Sequence, residues 1–371
     1  MTASEYKKVA VITGGSRGIG KAVAEALVAQ GIRVVIGDIL DDDGHQTAQE
    51  LNHQCAGDTQ MAAYIHTDVT LYKDVIALFR FAEATFGGVD IAFLNAGIIS
   101  GADNVFLPLE DEVEVNLPKV NVTGVVKCTK VAVLHMAKRG GGVIVNTASV
   151  AGFLSGMQLA HYYATKHAVV GWTRSMKMLK DICNVRVNAV CPHWVATDMQ
   201  GMILNKEGDD PYKQLVEQSP RVKMETVVRG VMMLIEDEKR NAETLLTLPG
   251  DVIRVQEPIA EYEELSTSEY AALVDGYQPR VLDHYKKQLE QALDRYGFLD
   301  VYRKQQSVEP SAFSYSTKEL EDDHRRLATT KIKGMMVLVI CSFTTTAASP
   351  ATRCASSQSM HAILRHDLNF G

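Results

Sequence analysis

The chain has 371 residues and six cysteines (Cys55, Cys128, Cys183, Cys191, Cys341 and Cys354), none of which stands in a CxxC pair. That scatter excludes a zinc ribbon or a thioredoxin-type redox motif, so no metal site and a reducing, cytoplasmic compartment are expected. Lysines and arginines form no extended run, and the formal net charge is -7. A chain of that sign without a basic stripe has no electrostatic reason to follow a phosphate backbone, and no nucleic-acid partner is expected. The N-terminus, MTASEYKKVAVITGG, lacks the apolar stretch of a secretory signal. The charge-free span Gly334 to Thr352 holds only the short apolar run MMVLVI before Ser, Thr, Ala and Pro dilute it. It is too polar for a membrane span.

What is present is the balance of a soluble globular protein, 46% hydrophobic and 22% charged, at a length suited to one large domain plus an extension. From Val9 to about Val255, short β-branched runs alternate with longer helical stretches. The runs are KVAVIT, RVVIGD, AAYIHT, IAFLNA, GVIVNT, VRVNAV and LLTLPG. Seven strands separated by helices predict an α/β, doubly wound (Rossmann-type) parallel sheet covered on both faces. Beyond Gln256 the composition turns acidic and polar. There VLDHYKKQLEQALDRYGFL sets Leu282, Tyr285, Leu289, Leu293 and Tyr296 on one face of an amphipathic helix expected to pack on its own body, with a partner contact as the alternative. After Ser307 turn formers and charges dominate. The expected organisation is an α/β domain over 6–255, a helical extension over 256–306 and a poorly ordered tail over 307–371. No internal repeat is found.

The segment TGGSRGIG, Thr13 to Gly20, lies between the strand KVAVI and the helix KAVAEALVAQ. Gly14, Gly18 and Gly20 permit a tight turn there and let the backbone approach a pyrophosphate. Ser16, Arg17 and Ile19 complete that turn at the helix N-terminus, whose dipole favours the negative charge. Asp38 ends the second strand, where a carboxylate accepts hydrogen bonds from both hydroxyls of an adenosine ribose. It also repels a phosphate on the 2′ oxygen, by about 4 kcal/mol at roughly 4 Å and an effective dielectric of about 20. Arg17 opposes this, since a guanidinium in the glycine turn can pair with that phosphate. Asp38 decides, because its repulsion is present in every geometry that uses the ribose diol, and the expected cofactor is NAD.

HYYATKHAVVGWTRSM reads as a helix with Tyr162 and Lys166 one turn apart on one face. A free tyrosine, with a reference pKa of about 10, is a poor base at neutral pH. An ammonium at about 5 Å and effective dielectric about 20 stabilises the phenolate by roughly 3 kcal/mol, a drop of about two units toward 8. That suits removal of an alcohol proton. Tyr163 sits only three residues from Lys166, so the four-residue step selects Tyr162. His161 and His167 have no second ligand at a metal spacing and read as solvated or core residues. Ser149 closes the strand GVIVNTAS, and strand ends are where a doubly wound sheet presents its reactive groups.

Taken in order, TGGSRGIG, LNAG (Leu94 to Gly97), NVTG (Asn121 to Gly124), Ser149, the Tyr162/Lys166 pair and VRVNAVCPHWVAT resemble the short-chain dehydrogenase/reductase superfamily, over about Val9 to Val255. The resemblance implies that Tyr162 is the general acid/base, that Lys166 lowers its pKa and binds the nicotinamide ribose, and that Ser149 bonds the substrate oxygen. Asn121 resembles the Asn whose backbone holds a water in the proton relay, so the NVT tripeptide is not a glycosylation site. Asn95, Ala96 and Gly97 resemble the turn beside the adenosine, and Asp68 and Val69 the pair flanking the adenine. Pro192, Val195 and Thr197 fall at the nicotinamide, Thr197 as the residue that fixes its carboxamide. Pairing through the helices that begin near Asn121 and Tyr162 into a homodimer or homotetramer is also implied.

Within the superfamily the chain is most similar to the NAD-dependent 15-hydroxyprostaglandin dehydrogenase type. It departs from the family pattern at Pro192-His193, where Pro-Gly is usual, which leaves three readings: a displaced nicotinamide, contact of His193 with substrate, or a surface substitution without effect. It departs again at Leu159, where that type carries a Gln, and here Gln158 is one place off. Prostaglandin itself is therefore not the expected substrate. FLSGMQL (Phe153 to Leu159) and MQGMIL (Met199 to Leu204) make an apolar, methionine-bearing border for a substrate. The expected reaction is oxidation of a hydrophobic secondary alcohol, of lipid, terpenoid or polyketide type, to its ketone. An NADPH-dependent carbonyl reductase and a catalytically idle nucleotide-binding interaction protein are the alternatives.

Overall fold

The computed structural model describes residues 7–54, 60–99, 111–204, 211–257 and 267–307, all within one unit, Met1–Glu309. The strands are β1 (Val9–Thr13), β2 (Arg33–Asp38), β3 (Ala62–His66), β4 (Ile91–Leu94), β5 (Gly142–Thr147), β6 (Val185–Pro192), β7 (Thr244–Leu248) and β8 (Val252–Val255). The helices of the first half are α1 (Gly18–Ala29), α2 (Asp41–His53), α3 (Tyr72–Phe86), α4 (Asp111–Pro118) and α5 (Val125–Arg139). Those of the second half are α6 (Ala160–Ser175), α7 (Leu179–Cys183), α8 (Asp198–Leu204), α9 (Pro211–Gln218), α10 (Met224–Glu236), α11 (Ser268–Tyr296) and α12 (Leu299–Gln306).

The eight strands form one sheet in the order β3-β2-β1-β4-β5-β6-β7-β8. All seven expected strands form and pair in parallel, with Val11 opposite both Val35 and Ala92. The sheet has one strand more than the seven expected, because β8 returns antiparallel to β7. The turn between them places Gly250 and Asp251 at φ 78° and 65°, the left-handed conformation of a tight hairpin. β8 is short and mostly exposed, so it lacks the apolar pattern that marks the others.

A period of two divides the core. In β1, Val9 and Val11 join Val35, Leu78, Phe79 and Ala132 on one face, while Ala10 and Ile12 join Val34, Ile36, Val23 and Leu27 on the other. Helices α3, α5 and α6 cover the first face, and α1, α2 and α10 the second. Each fully buried Val, Leu or Ile contributes roughly 1.5–3 kcal/mol, so a strand buried on both faces is held without a polar side chain.

The extension forms α11 and α12. Leu289 and Leu293 are buried in the first core cluster and Tyr296 packs against it, so the helix does lie on its own body, but contact begins late. Tyr285 remains 39% exposed. The helix also starts before the expected stretch, at Ser268, where the Thr267 hydroxyl accepts from the Tyr270 amide at 3.2 Å, and it runs through Pro279. A proline inside a pattern reads as a helix break, which is why the first half was not anticipated. The expected tail and the MMVLVI run lie outside the described residues, and no described helix is long and apolar enough to cross a membrane.

Candidate active site

Strand order reverses between β1 and β4, and a cavity of about 430 Å³ opens there, at the carboxyl ends of the strands. One end is built almost wholly from strand ends and backbone. Gly14 lies at φ 64°, and a Cβ on it would fall 2.8 Å from the Ala96 Cα; a Cβ on Gly20 would fall 2.1 Å from the Gly14 carbonyl oxygen. Only glycine closes this turn. Helix α1 then begins at Gly18 with no side chain capping it and no acidic residue in its first turn, so its positive end is left for a ligand.

Hydrogen bonds rivet this end together. Asn95 Nδ2 donates to the Gly14 carbonyl at 2.8 Å, and Asn95 Oδ1 accepts from the Thr147 hydroxyl at 3.1 Å. The Thr13 hydroxyl accepts from the amides of Asn95 and Ala96 at 3.1 and 3.2 Å. Asp38 accepts from the Ser16 amide at 3.0 Å through Oδ2 and from the Ile39 amide at 2.8 Å through Oδ1, and it still lines the cavity. A carboxylate has about four acceptor positions, so capacity remains for a ribose hydroxyl. Asp68 and Val69 line the same end; Asp68 is held by the Thr70 amide, which donates to its carboxylate at 2.8 Å. Arg17 turns toward α8, its guanidinium 3.3 Å from the Asp198 carboxylate.

The reactive groups converge farther along. Lys166 is 5% exposed, and its Nζ donates to the Thr147 carbonyl at 2.9 Å while lying 5.5 Å from the centre of the Tyr162 ring. The Ser149 hydroxyl is hydrogen-bonded to Tyr162 and donates to the Pro192 carbonyl at 3.3 Å. Asn121 sits in a π-helical turn, Lys119–Gly124, between α4 and α5. Such turns recur at functional sites. Asn121 is 1% exposed, exchanges hydrogen bonds with both backbone groups of Ile98 and donates to the Thr165 hydroxyl at 3.2 Å.

The protonation of this pair differs from the expectation. Burial pushes the Tyr162 phenol up to about 12, opposed by the Ser149 hydrogen bond. Burial also draws the Lys166 ammonium down to about 8. Spacing registers the ammonium but not the loss of water around both groups, and of the two effects desolvation is the larger.

Of the expected site residues, Gly14, Arg17, Gly18, Ile19, Asp38, Asp68, Val69, Asn95, Ala96, Gly97, Ser149, Tyr162, Lys166, Pro192, Val195 and Thr197 all line the one cavity. Ser16 and Asn121 are buried, and Gly20 packs against the Gly14 carbonyl. At the end away from the glycine turn, Leu154, Leu159 and Met199, from the segments FLSGMQL and MQGMIL, line the cavity, and Leu159 packs with Ile99, Ile203 and Val216. His161 lies 3.5 Å from Glu114, and the exposed His167 meets the Tyr163 carbonyl. Thr147 and Trp194 line the cavity without having been expected there. Their common signal is position at or just beyond a strand end. The Asp41–Asp43 run was likewise missed; it adds three carboxylates at the start of α2, just past Asp38.

A short chain dehydrogenase family model matches residues 8–208. The 2,5-dichloro-2,5-cyclohexadiene-1,4-diol dehydrogenase of Sphingobium indicum is 40% identical over 213 residues, covering 55% of this chain and 80% of that protein. The human 15-hydroxyprostaglandin dehydrogenase [NAD(+)] is 31% identical over 246 residues, covering 63% and 88% respectively. Among solved structures, a variant of the actinorhodin polyketide ketoreductase with NADPH superposes with a TM-score of 0.60 at 28% identity, over 67% of this chain and 98% of that one. Fold, site and relatives agree, and the chain belongs to the short chain dehydrogenase family of oxidoreductases.

Proposed function

We propose that this protein is an NAD-dependent dehydrogenase that oxidises an apolar secondary alcohol to its ketone. One observation carries the reading: Ser149, Tyr162 and Lys166 meet at one end of a cavity whose other end is a glycine turn, a free helix N-terminus and Asp38.

The residues present fit a nicotinamide dinucleotide: a Cβ on Gly14 or Gly20 would collide with the Ala96 backbone or the Gly14 carbonyl, so glycines alone close the turn that leaves the uncapped start of α1 for a pyrophosphate. Asp38 would hold the adenosine ribose and Lys166 the nicotinamide ribose, with Thr197 at the carboxamide. Bound there, the nicotinamide supplies the two-electron acceptor. Ser149 orients the alcohol oxygen, and the Tyr162 oxygen takes its proton. The Lys166 charge stabilises the phenolate, and Asn121 anchors the turn behind Lys166. Asp38 disfavours a 2′-phosphate, while the Arg17 guanidinium lies 3.3 Å from the Asp198 carboxylate. The relatives' names, a cyclic diol dehydrogenase and a dehydrogenase of a lipid alcohol, support a hydrophobic alcohol as substrate class.

A second reading, carbonyl reduction, draws on the Tyr162 phenol: pushed up to about 12, it keeps its proton at neutral pH, as a general acid must. The test is the formation of NADH or NADPH by the purified protein with a panel of apolar secondary alcohols, and their consumption with the matching ketones. NADH formation that falls at least a hundredfold in Tyr162→Phe is expected. Undiminished turnover in that variant removes the mechanism, and a preference for NADPH removes the cofactor assignment.

A further inference from the structure

Most polar groups at the cavity wall have partners, and two at the substrate end stand out. His193 follows β6, at the position where the family pattern has glycine, and it lines the cavity with Trp194 edge-on to it, ring centroids 6.5 Å apart. Its amide donates to the Thr247 carbonyl at 3.0 Å, which fixes the backbone. The ring is bonded to the Pro220 carbonyl, yet Nδ1 is buried with no partner among the described residues. In the neutral tautomer protonated on Nε2, Nδ1 carries a bare lone pair. Burial holds the ring's pKa below its ordinary value, opposed by the Pro220 bond and helped by the nearby Arg221 charge, so the ring stays neutral. Gln200, on the same cavity wall, has an Nε2 that is also buried and without a partner among the described residues.

Unpaired buried polar groups are costly, and a native chain keeps few of them. Two on one cavity wall, an acceptor and a donor, define the chemistry of a missing occupant. Hydroxyl groups both donate and accept, whereas a ketone serves only the donor and a methyl serves neither. The imidazole's ring torsion is soft, so a modest rotation turns Nδ1 toward a bound molecule. The oxygen met here is not the reacting one, which Ser149 and Tyr162 hold.

We infer that His193 Nδ1 accepts a hydrogen bond from a second hydroxyl of the substrate, and that the substrate is an apolar secondary alcohol carrying another O–H away from the reacting carbon. Gln200 offers the complementary donor on the same wall. This deepens the dehydrogenase reading above and rests on it. A hydrogen-bonding site of this kind discriminates by leaving its own group unpaired when the wrong substrate binds.

The experiment compares matched ring alcohols, cyclohexanol and alkyl-substituted cyclohexanols against the corresponding diols, with wild type, His193→Phe, His193→Asn and His193→Gly. The wild type is expected to favour the diol in kcat/KM by about tenfold, the scale of one net hydrogen bond. That ratio should fall to about one in His193→Phe and stay high in His193→Asn, whose Oδ1 stands near the place of Nδ1. His193→Gly, expected to lose the ratio as well, serves if the Phe variant does not fold. An unchanged ratio in the variant lacking the imidazole overturns the assignment. If the wild type turns over no alcohol, the dehydrogenase reading fails, and His193 is decided by ligand titration of Trp194 fluorescence. A diol affinity about tenfold weaker in His193→Phe sustains the proposal, and equal affinity overturns it.

Discussion

The two ends of the cavity are built on different principles. The dinucleotide end consists of strand ends, a glycine turn and buried polar groups that bond one another, so each side chain has one workable position. The other end consists of short helices and loops with apolar side chains partly open to water, Leu154 at 53% and Met199 at 36% exposure. Rigid bonding suits a ligand that never changes, and an adaptable apolar rim suits one that differs among relatives. The same contrast sets the consequences of substitution.

The largest expected effect is at Asp38. Asp38→Ala should lower the preference for NAD over NADP about a hundredfold, less than the full Coulomb estimate because the carboxylate is half exposed to solvent. Steady-state kinetics with both cofactors measures it, and an unchanged ratio would remove Asp38 from the discrimination. A smaller contrast follows from Asn95 and Leu154. Asn95→Ala strands the Gly14 carbonyl and the Thr147 hydroxyl, and should cost about 1–3 kcal/mol of stability and weaken dinucleotide binding. Leu154→Ala removes an exposed side chain and should change stability by less than about 0.5 kcal/mol, while raising KM for an apolar alcohol. Chemical denaturation of both variants tests this, and equal losses of stability would erase the distinction between the two ends.

Much of the dinucleotide end was legible in the amino-acid order because its signals are local. A glycine turn between a strand and a helix, a carboxylate ending the next strand, and a Tyr and Lys one helical turn apart each follow from the period of a single element. The remainder depends on contacts between distant segments. Thr13 reaches Asn95, Thr147 receives Lys166, and His193 meets Pro220; none of these pairs has a sequence spacing that announces it. β8 escaped because an exposed edge strand carries no apolar alternation, and the first half of α11 because Pro279 interrupts the pattern. The direction of the Tyr162 shift escaped for the same underlying reason, since desolvation is a property of the folded surroundings and charge spacing is not.

A pH–rate profile in both directions reports whether Tyr162 moves the proton under the control of Lys166. The base must be phenolate and its neighbour ammonium, with the phenol held at about 12 and the ammonium at about 8. For oxidation, kcat/KM should therefore climb about tenfold per pH unit up to about 8, as phenolate accumulates, and then level as Lys166 loses its charge. For reduction, where Tyr162 starts protonated, kcat/KM should be flat below about 8 and decline above it. Oxidation that is insensitive to pH below 8, or the same profile retained by Tyr162→Phe, would contradict the account.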